Sequence, residues 1–290
     1  MPLQPPPPAD DLRFALYSRF LKGEAKIPQM PENALRVRRL LEDPRTTLEQ
    51  LSRVINGDPP LAAYLMQFAD SPLLKSARAC TNLRDVLARL GTQKLNNLVL
   101  GFSLRNLFIS KELPLQQVFR ARWKIALERA AFCACLAPKT GIASVDDALL
   151  AGLLQDIGSL PLLAELERWP QYSRESANLQ ALCEQLSGAI GSVVLTAWKQ
   201  PVEVIDVARY RNDWRRLTDA KASLADLVQV ASLLLHETSS PLPLAESPAL
   251  QRLFPGEADT AEFATDLRAQ LVSEAAFWFK LLGVKVRTGS

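Results

Sequence analysis

Histidine is nearly absent: one residue, His236, in 290. Imidazole is the commonest protein metal ligand and the commonest general base at neutral pH, so a centre built on several histidines has no raw material here. His236 itself follows Leu233-Leu234-Leu235 and reads as a helix-end residue near the last carbonyls. The four cysteines, Cys80, Cys133, Cys135 and Cys183, are too few for a disulfide framework in a chain this long. Cys133 and Cys135 lie two apart in a helical pattern, which points them to different faces and makes them core thiols rather than joint ligands. There is no glycine-rich phosphate loop, no nucleophile elbow and no cysteine pair at zinc spacing. A net charge of +3 is small for this length and excludes general nucleic-acid binding through many phosphate contacts. No apolar run reaches the roughly 18 to 20 uninterrupted residues that span a bilayer, and the amino terminus is proline-rich where a signal peptide would be basic and then apolar. The expectation is a cytoplasmic protein without membrane contact.

What the chain does have is hydrophobic residues, 48% of the total, enough to bury a large core. They recur at spacings of three and four almost throughout, and no strand pattern stands out, so the fold class is all-α. Start and stop signals divide the pattern into short helices. Thr47 with Gln50 forms a capping-box sequence, Asp58 precedes Pro59, Ser144 precedes Asp147 by three, and Gly91 ends one helix so that Thr92 can cap the next. A long helix is expected from Leu115 to about Ala137. Others follow at Ser144 to Ile157, Leu179 to Leu186, Ala189 to Trp198, Val202 to Tyr210 and Leu224 to Glu237. Residues 1–9 form a proline-rich tail that favours polyproline II, 10–110 an amino-terminal helical lobe and 111–238 a second helical lobe. Residues 239–290 supply a proline-rich connection and a last helix rich in Phe263, Phe277, Trp278 and Phe279. The seam at 109–114 is too short and too flanked by apolar helix to be a flexible linker, so the lobes should share one core. The last helix either packs back on the domain or forms a homodimer seam.

Several motifs give the chain a family resemblance. They are Ile27-Pro28-Gln29-Met30-Pro31, Asp58-Pro59-Pro60-Leu61, Asp70-Ser71-Pro72 and Leu90-Gly91-Thr92-Gln93-Lys94-Leu95, then Trp123, Gly152-Leu153-Leu154-Gln155-Asp156-Ile157-Gly158, Gly191, Trp198-Lys199-Gln200-Pro201 and Arg209-Tyr210-Arg211-Asn212. Over roughly residues 26 to 237 the sequence resembles the HDOD family, HD-related output domains of bacterial signalling proteins and relatives of the HD and HD-GYP metal-dependent phosphohydrolases. The resemblance implies a compact multi-helix bundle of the HD-domain type with an amino-terminal helical lobe.

It also implies a site stripped of its chemistry. Where the superfamily reads His-Asp-Ile-Gly and binds a divalent cation through the adjacent His and Asp, this chain has Gln155 and Asp156. Spacing places Ile125, Ser187, Arg211, Asn212 and Ser232 at the other ligand positions, and none is a good ligand. No metal or other cofactor is expected. The resemblance therefore points to a non-catalytic regulatory or output module that binds a protein partner in a signalling pathway. Two alternatives stay open. One is a divergent metal-dependent phosphohydrolase. The other is a sensor for a nucleotide second messenger or another anion near Arg211, with Arg209, Arg215 and Arg216 as further anion-binding candidates beside Tyr210 and Trp214. If the superfamily fold holds, Arg211 faces Asp156 and its guanidinium replaces the metal; the opposing expectation is that Arg211 points to solvent.

Overall fold

The structure is a computed structural model that describes residues 12–71, 74, 80–107, 112–167, 176–218, 221–235, 241–257 and 261–284. The proline-rich tail, His236 and residues 109–111 of the 109–114 seam lie outside the described residues. All regular structure among the described residues is helical.

The amino-terminal part of the chain supplies α1 (Leu12–Leu21), which lies against residues 176–197, and α2 (Glu32–Glu42), α3 (Leu48–Asn56), α4 (Pro59–Gln67) and α5 (Leu83–Leu104). Local chemistry sets the ends. Thr47 and Gln50 close a reciprocal capping box on α3, and the Asp58 carboxylate accepts from the Leu61 amide at the start of α4, whose first residue is proline. At Gly91 the backbone of α5 leaves helical geometry (φ 70°, ψ 176°), a conformation that costs glycine nothing. The expected break is therefore a sharp kink between two packed segments. Helices α2, α3 and α4 all lie against α5, where Leu65 and Leu98 are fully buried, each worth about 1.5–3 kcal/mol relative to exposure.

The second lobe is organised around α6 (Leu113–Thr140), which ends at Gly141 in the left-handed conformation. Against it pack α7 (Val145–Leu154), α9 (Ser176–Ala197), α11 (Leu224–Leu235) and α13 (Ala261–Leu281), with α8 (Ser159–Leu166), α10 (Val202–Arg209) and α12 (Pro248–Leu253) filling in around them. The stretch Val145–Leu166 is long and apolar enough to cross a membrane by length and composition, but 94% of its apolar window is buried inside the protein. Cys133, Cys135 and Cys183 are buried free thiols, and burial pushes each up to about 12. Helix α13 packs back on α6 through Leu267, Leu271, Ala275 and Trp278, with Phe279 edge-on to Phe132 and Lys139 paired to Glu274 at 2.8 Å.

One expectation needs correction. The pattern around Ser187-Gly188 suggested two helices, Leu179 to Leu186 and Ala189 to Trp198, whereas α9 is continuous. Gly188 lies within the helix, and its lack of a side chain serves packing: α10 lies directly on it, and a Cβ there would sit 2.7 Å from the Ala208 carbonyl oxygen. Gly158 meets α9 even more closely. A Cβ on it would be 2.1 Å from the Ser187 oxygen, so the turn carrying Gln155 and Asp156 is pressed onto α9 by a contact only glycine permits.

Candidate functional site

Gln155 and Asp156 occupy the turn between α7 and α8, at the centre of the second lobe, and both are buried. Around Asp156 three arginines converge. Arg211, which follows α10, places Nη2 2.8 Å from Asp156 Oδ1. Arg129 of α6 places Nη1 3.2 Å from Oδ2, while its Nε donates to the Gly152 carbonyl at 2.8 Å. Arg122, two turns earlier on α6, reaches Oδ2 at 3.6 Å and Glu184 Oε1 at 2.6 Å. The Ser187 hydroxyl lies 3.4 Å from Oδ1. Glu184, on α9 and half exposed, accepts a second guanidinium bond from Arg211 at 2.9 Å.

Burial alone would raise the Asp156 carboxyl, but Arg211, then Arg129, then Arg122 outweigh it and hold the group well below the usual carboxylate range. Glu184 is lowered in the same way: burial opposes, and Arg211 and Arg122 prevail. Burial pulls the Arg129 guanidinium down, with Asp156 opposing, yet from so high a starting value arginine stays charged at neutral pH.

The cluster forms one wall of a cavity of about 470 Å³ whose lining includes Arg122, Arg129, Gln155, Asp156, Glu184, Arg211 and Trp214, together with Ile125, Asn212 and Ser232. The positions that spacing had assigned to the degenerate centre are thus brought together, Ser187 by its contact to Asp156 and the rest as cavity wall. Ser232 Oγ sits 3.0 Å from Gln155 Oε1, and Asn212 donates to the Glu184 carbonyl. Of the four arginines expected to gather for an anion, Arg211 alone faces the cavity. Arg209 pairs with Asp206 at 2.6 Å and Arg215 lies near Glu246 at 3.7 Å, both exposed. Arg216 stacks over the Tyr210 ring and, with Arg252, binds the fully buried Asp226 at 2.8 and 2.6 Å. Its charge is used in holding the Arg211 loop to α11 and α12.

Arg122 and Arg129 were missed because arginine inside a helical pattern reads as surface. The signal was present, however: positions 122, 126, 129 and 133 form one stripe at spacings of four, three and four, and the stripe reads Arg-Ala-Arg-Cys. Two arginines on a face otherwise made of small buried residues need a buried anion.

A model described as the HDOD domain matches residues 27–214, well over half of the sequence. The chain belongs to the HDOD domain family. An uncharacterized protein of Treponema pallidum (strain Nichols) is 21% identical over 235 residues, which cover 77% of this chain and 44% of that protein, so the chain spans less than half the length of this curated relative. Among solved structures, a presumed metal-dependent phosphohydrolase from Shewanella amazonensis SB2B superposes with a TM-score of 0.74 at 24% identity, covering 92% of this chain and 98% of the other. An HDOD domain protein of unknown function from Geobacter sulfurreducens gives 0.64 at 20%, covering 94% and 99%. A presumed signal transduction protein from Marinobacter aquaeolei VT8 gives 0.57 at 22%, covering 95% and 65%. At these identities the likeness speaks for the fold.

The divalent cation implied by the HD relationship does not fit the residues of this HDOD chain. Asp156 is the one carboxylate among the positions matched to the ligand set, and both its oxygens face guanidinium nitrogens at 2.8 and 3.2 Å. A cation entering there would meet three fixed positive charges and would have to displace them.

Proposed function

We propose that this HDOD chain is a non-catalytic regulatory module of bacterial signal transduction, working by binding a protein partner. The observation that supports this reading is the substitution of charge at its centre: Arg122, Arg129 and Arg211 stand around Asp156 where the hydrolytic relatives of the family would hold a metal. Guanidiniums at this centre repel the cation that would activate a water or polarise a phosphoester, while the buried ion cluster ties together α6, the α7–α8 turn, α9 and the segment after α10. Rigid helices with a fixed relative orientation suit recognition of a partner surface. The signal-transduction name carried by the Marinobacter neighbour agrees with such a role.

Elemental analysis of the purified chain and a phosphodiester assay with added manganese test the catalytic side. We expect no stoichiometric metal and no turnover above a protein-free blank. Turnover that disappears in Asp156→Ala would overturn the reading.

A further inference from the structure

We propose that the cavity beside Asp156 is a binding site for a small organic phosphate of the mononucleotide class, its oxyanion held by Arg129, Gln155 and Arg211 and its ring placed against Trp214. The proposal rests on the reading that arginines have taken the place of a metal. It goes further, because neutralising Asp156 needs fewer cations than are present. Three guanidiniums and two carboxylates line the cavity, leaving one positive charge in surplus.

The donors are in surplus as well. Arg129 and Gln155 are each 2% exposed, yet Arg129 Nη2 and Gln155 Nε2 have no hydrogen-bond partner among the described residues, and both side chains line the cavity. The Nε atoms of Arg122 and Arg211 are likewise buried and unpartnered. Buried donors are ordinarily satisfied, and a guanidinium is the group least able to go without an acceptor. Asp156 and Glu184 are already shared among Arg122, Arg129, Arg211 and Ser187, so neither carboxylate of the lining answers these donors. An oxyanion supplies acceptors and the balancing charge together.

Size and lining identify the rest of the ligand. About 470 Å³ lies within the range of small-molecule pockets, roughly 300–1,000 Å³, and far exceeds what one inorganic ion fills. Half-buried Trp214 and Ile125 give the cavity apolar surface suited to a flat ring, and stacking on an aromatic tolerates any base.

Thermal shift and calorimetry on the full chain, with inorganic phosphate, AMP and GMP as probes, test this. Phosphate should raise Tm by about 5 °C or more at roughly 100-fold excess over Kd, and the nucleotides should bind about 10-fold tighter than phosphate. Gln155→Glu places a carboxylate in the cavity, neutralises the surplus cation and should abolish binding of all three probes while the unliganded Tm holds or rises. Trp214→Ala, at the half-buried rim, should reduce nucleotide affinity to that of phosphate and leave phosphate binding unchanged. If no probe shifts Tm, or if a folded Gln155→Glu binds phosphate as the parent does, the site is not an oxyanion site. Equal affinity for AMP, GMP and phosphate would overturn the nucleotide assignment. A chain that binds no probe but is also metal-free and without turnover loses this ligand and keeps the non-catalytic reading; bound manganese with turnover removes that reading.

Discussion

Asp156 keeps its charge in a place where charge is expensive, and three arginines make this possible. Removing one member of a buried ionic cluster leaves the others uncompensated, typically at about 3–5 kcal/mol. Asp156→Asn, nearly the same in shape, should therefore lower stability by about that amount at pH 7, read from urea denaturation followed by circular dichroism. The sign of its pH dependence follows from the direction of the shift. The folded carboxyl is held low, while in the unfolded chain it titrates near 3.9, so its contribution is full above about pH 5 and is lost progressively as acid moves toward the folded value. The parent should lose stability more steeply than Asp156→Asn on acidification, and their difference should shrink between pH 5 and about pH 2. A deficit that stays constant over that range would show that Asp156 is not held low. Asp226 is also lowered, burial opposing and hydrogen bonds from Arg252 and Arg216 prevailing, so some acid sensitivity should survive in the variant.

At the level of elements, what was legible in the sequence was what is decided locally. The Thr47 box, the Asp58 cap and the Ser144 cap depend on residues within three positions of each other, and each is found. What was not legible depends on a neighbour distant in the chain. Gly188 looked like a helix end until α10 was seen to occupy the space of its side chain, and Arg122 and Arg129 looked like surface until Asp156 was seen beneath them. By the same logic Arg211 could be placed opposite Asp156 through the family resemblance, whereas composition alone grouped it with Arg209, Arg215 and Arg216. The end of α9 offers an element-scale test. Lys199 holds φ +54°, its amide bonded to the Thr196 oxygen and the Gln200 amide to the Leu195 oxygen at 2.9 and 3.0 Å, the arrangement in which glycine usually stands. A side chain in that conformation costs about 1–2 kcal/mol. Lys199→Gly should recover part of it, about 0.5–1 kcal/mol, seen as a higher urea midpoint with an unchanged slope. A lower midpoint would mean that the lysine stem makes compensating contacts.

Across the whole molecule, the two lobes are joined by more than chain continuity. The hydrophobic core runs without a break from Leu16 in α1 through Leu98 in α5 to Leu136 in α6 and Leu271 in α13. Polar ties cross the same boundary: Arg19 of α1 to Glu165 of α8 at 2.9 Å, Trp198 Nε1 to the Pro28 carbonyl at 2.8 Å, and Asn97 of α5 to Asp146 and Asp147 of α7 at 2.9 and 2.8 Å. Neither lobe can separate without exposing apolar surface on the other and leaving buried donors unpaired, which favours one cooperative transition over two. Tryptophan provides a way to see this, because all five residues, Trp123, Trp169, Trp198, Trp214 and Trp278, fall after residue 111 and none before it. Fluorescence then reports the second lobe and, through Trp198, its junction with the Pro28 segment, whereas far-UV circular dichroism reports helix in both lobes. Urea curves from the two probes should superimpose. A dichroism loss that precedes the fluorescence change would mean that the amino-terminal lobe unfolds first, and that the shared core is too weak to couple the Asp156 cluster to helices α2 to α4.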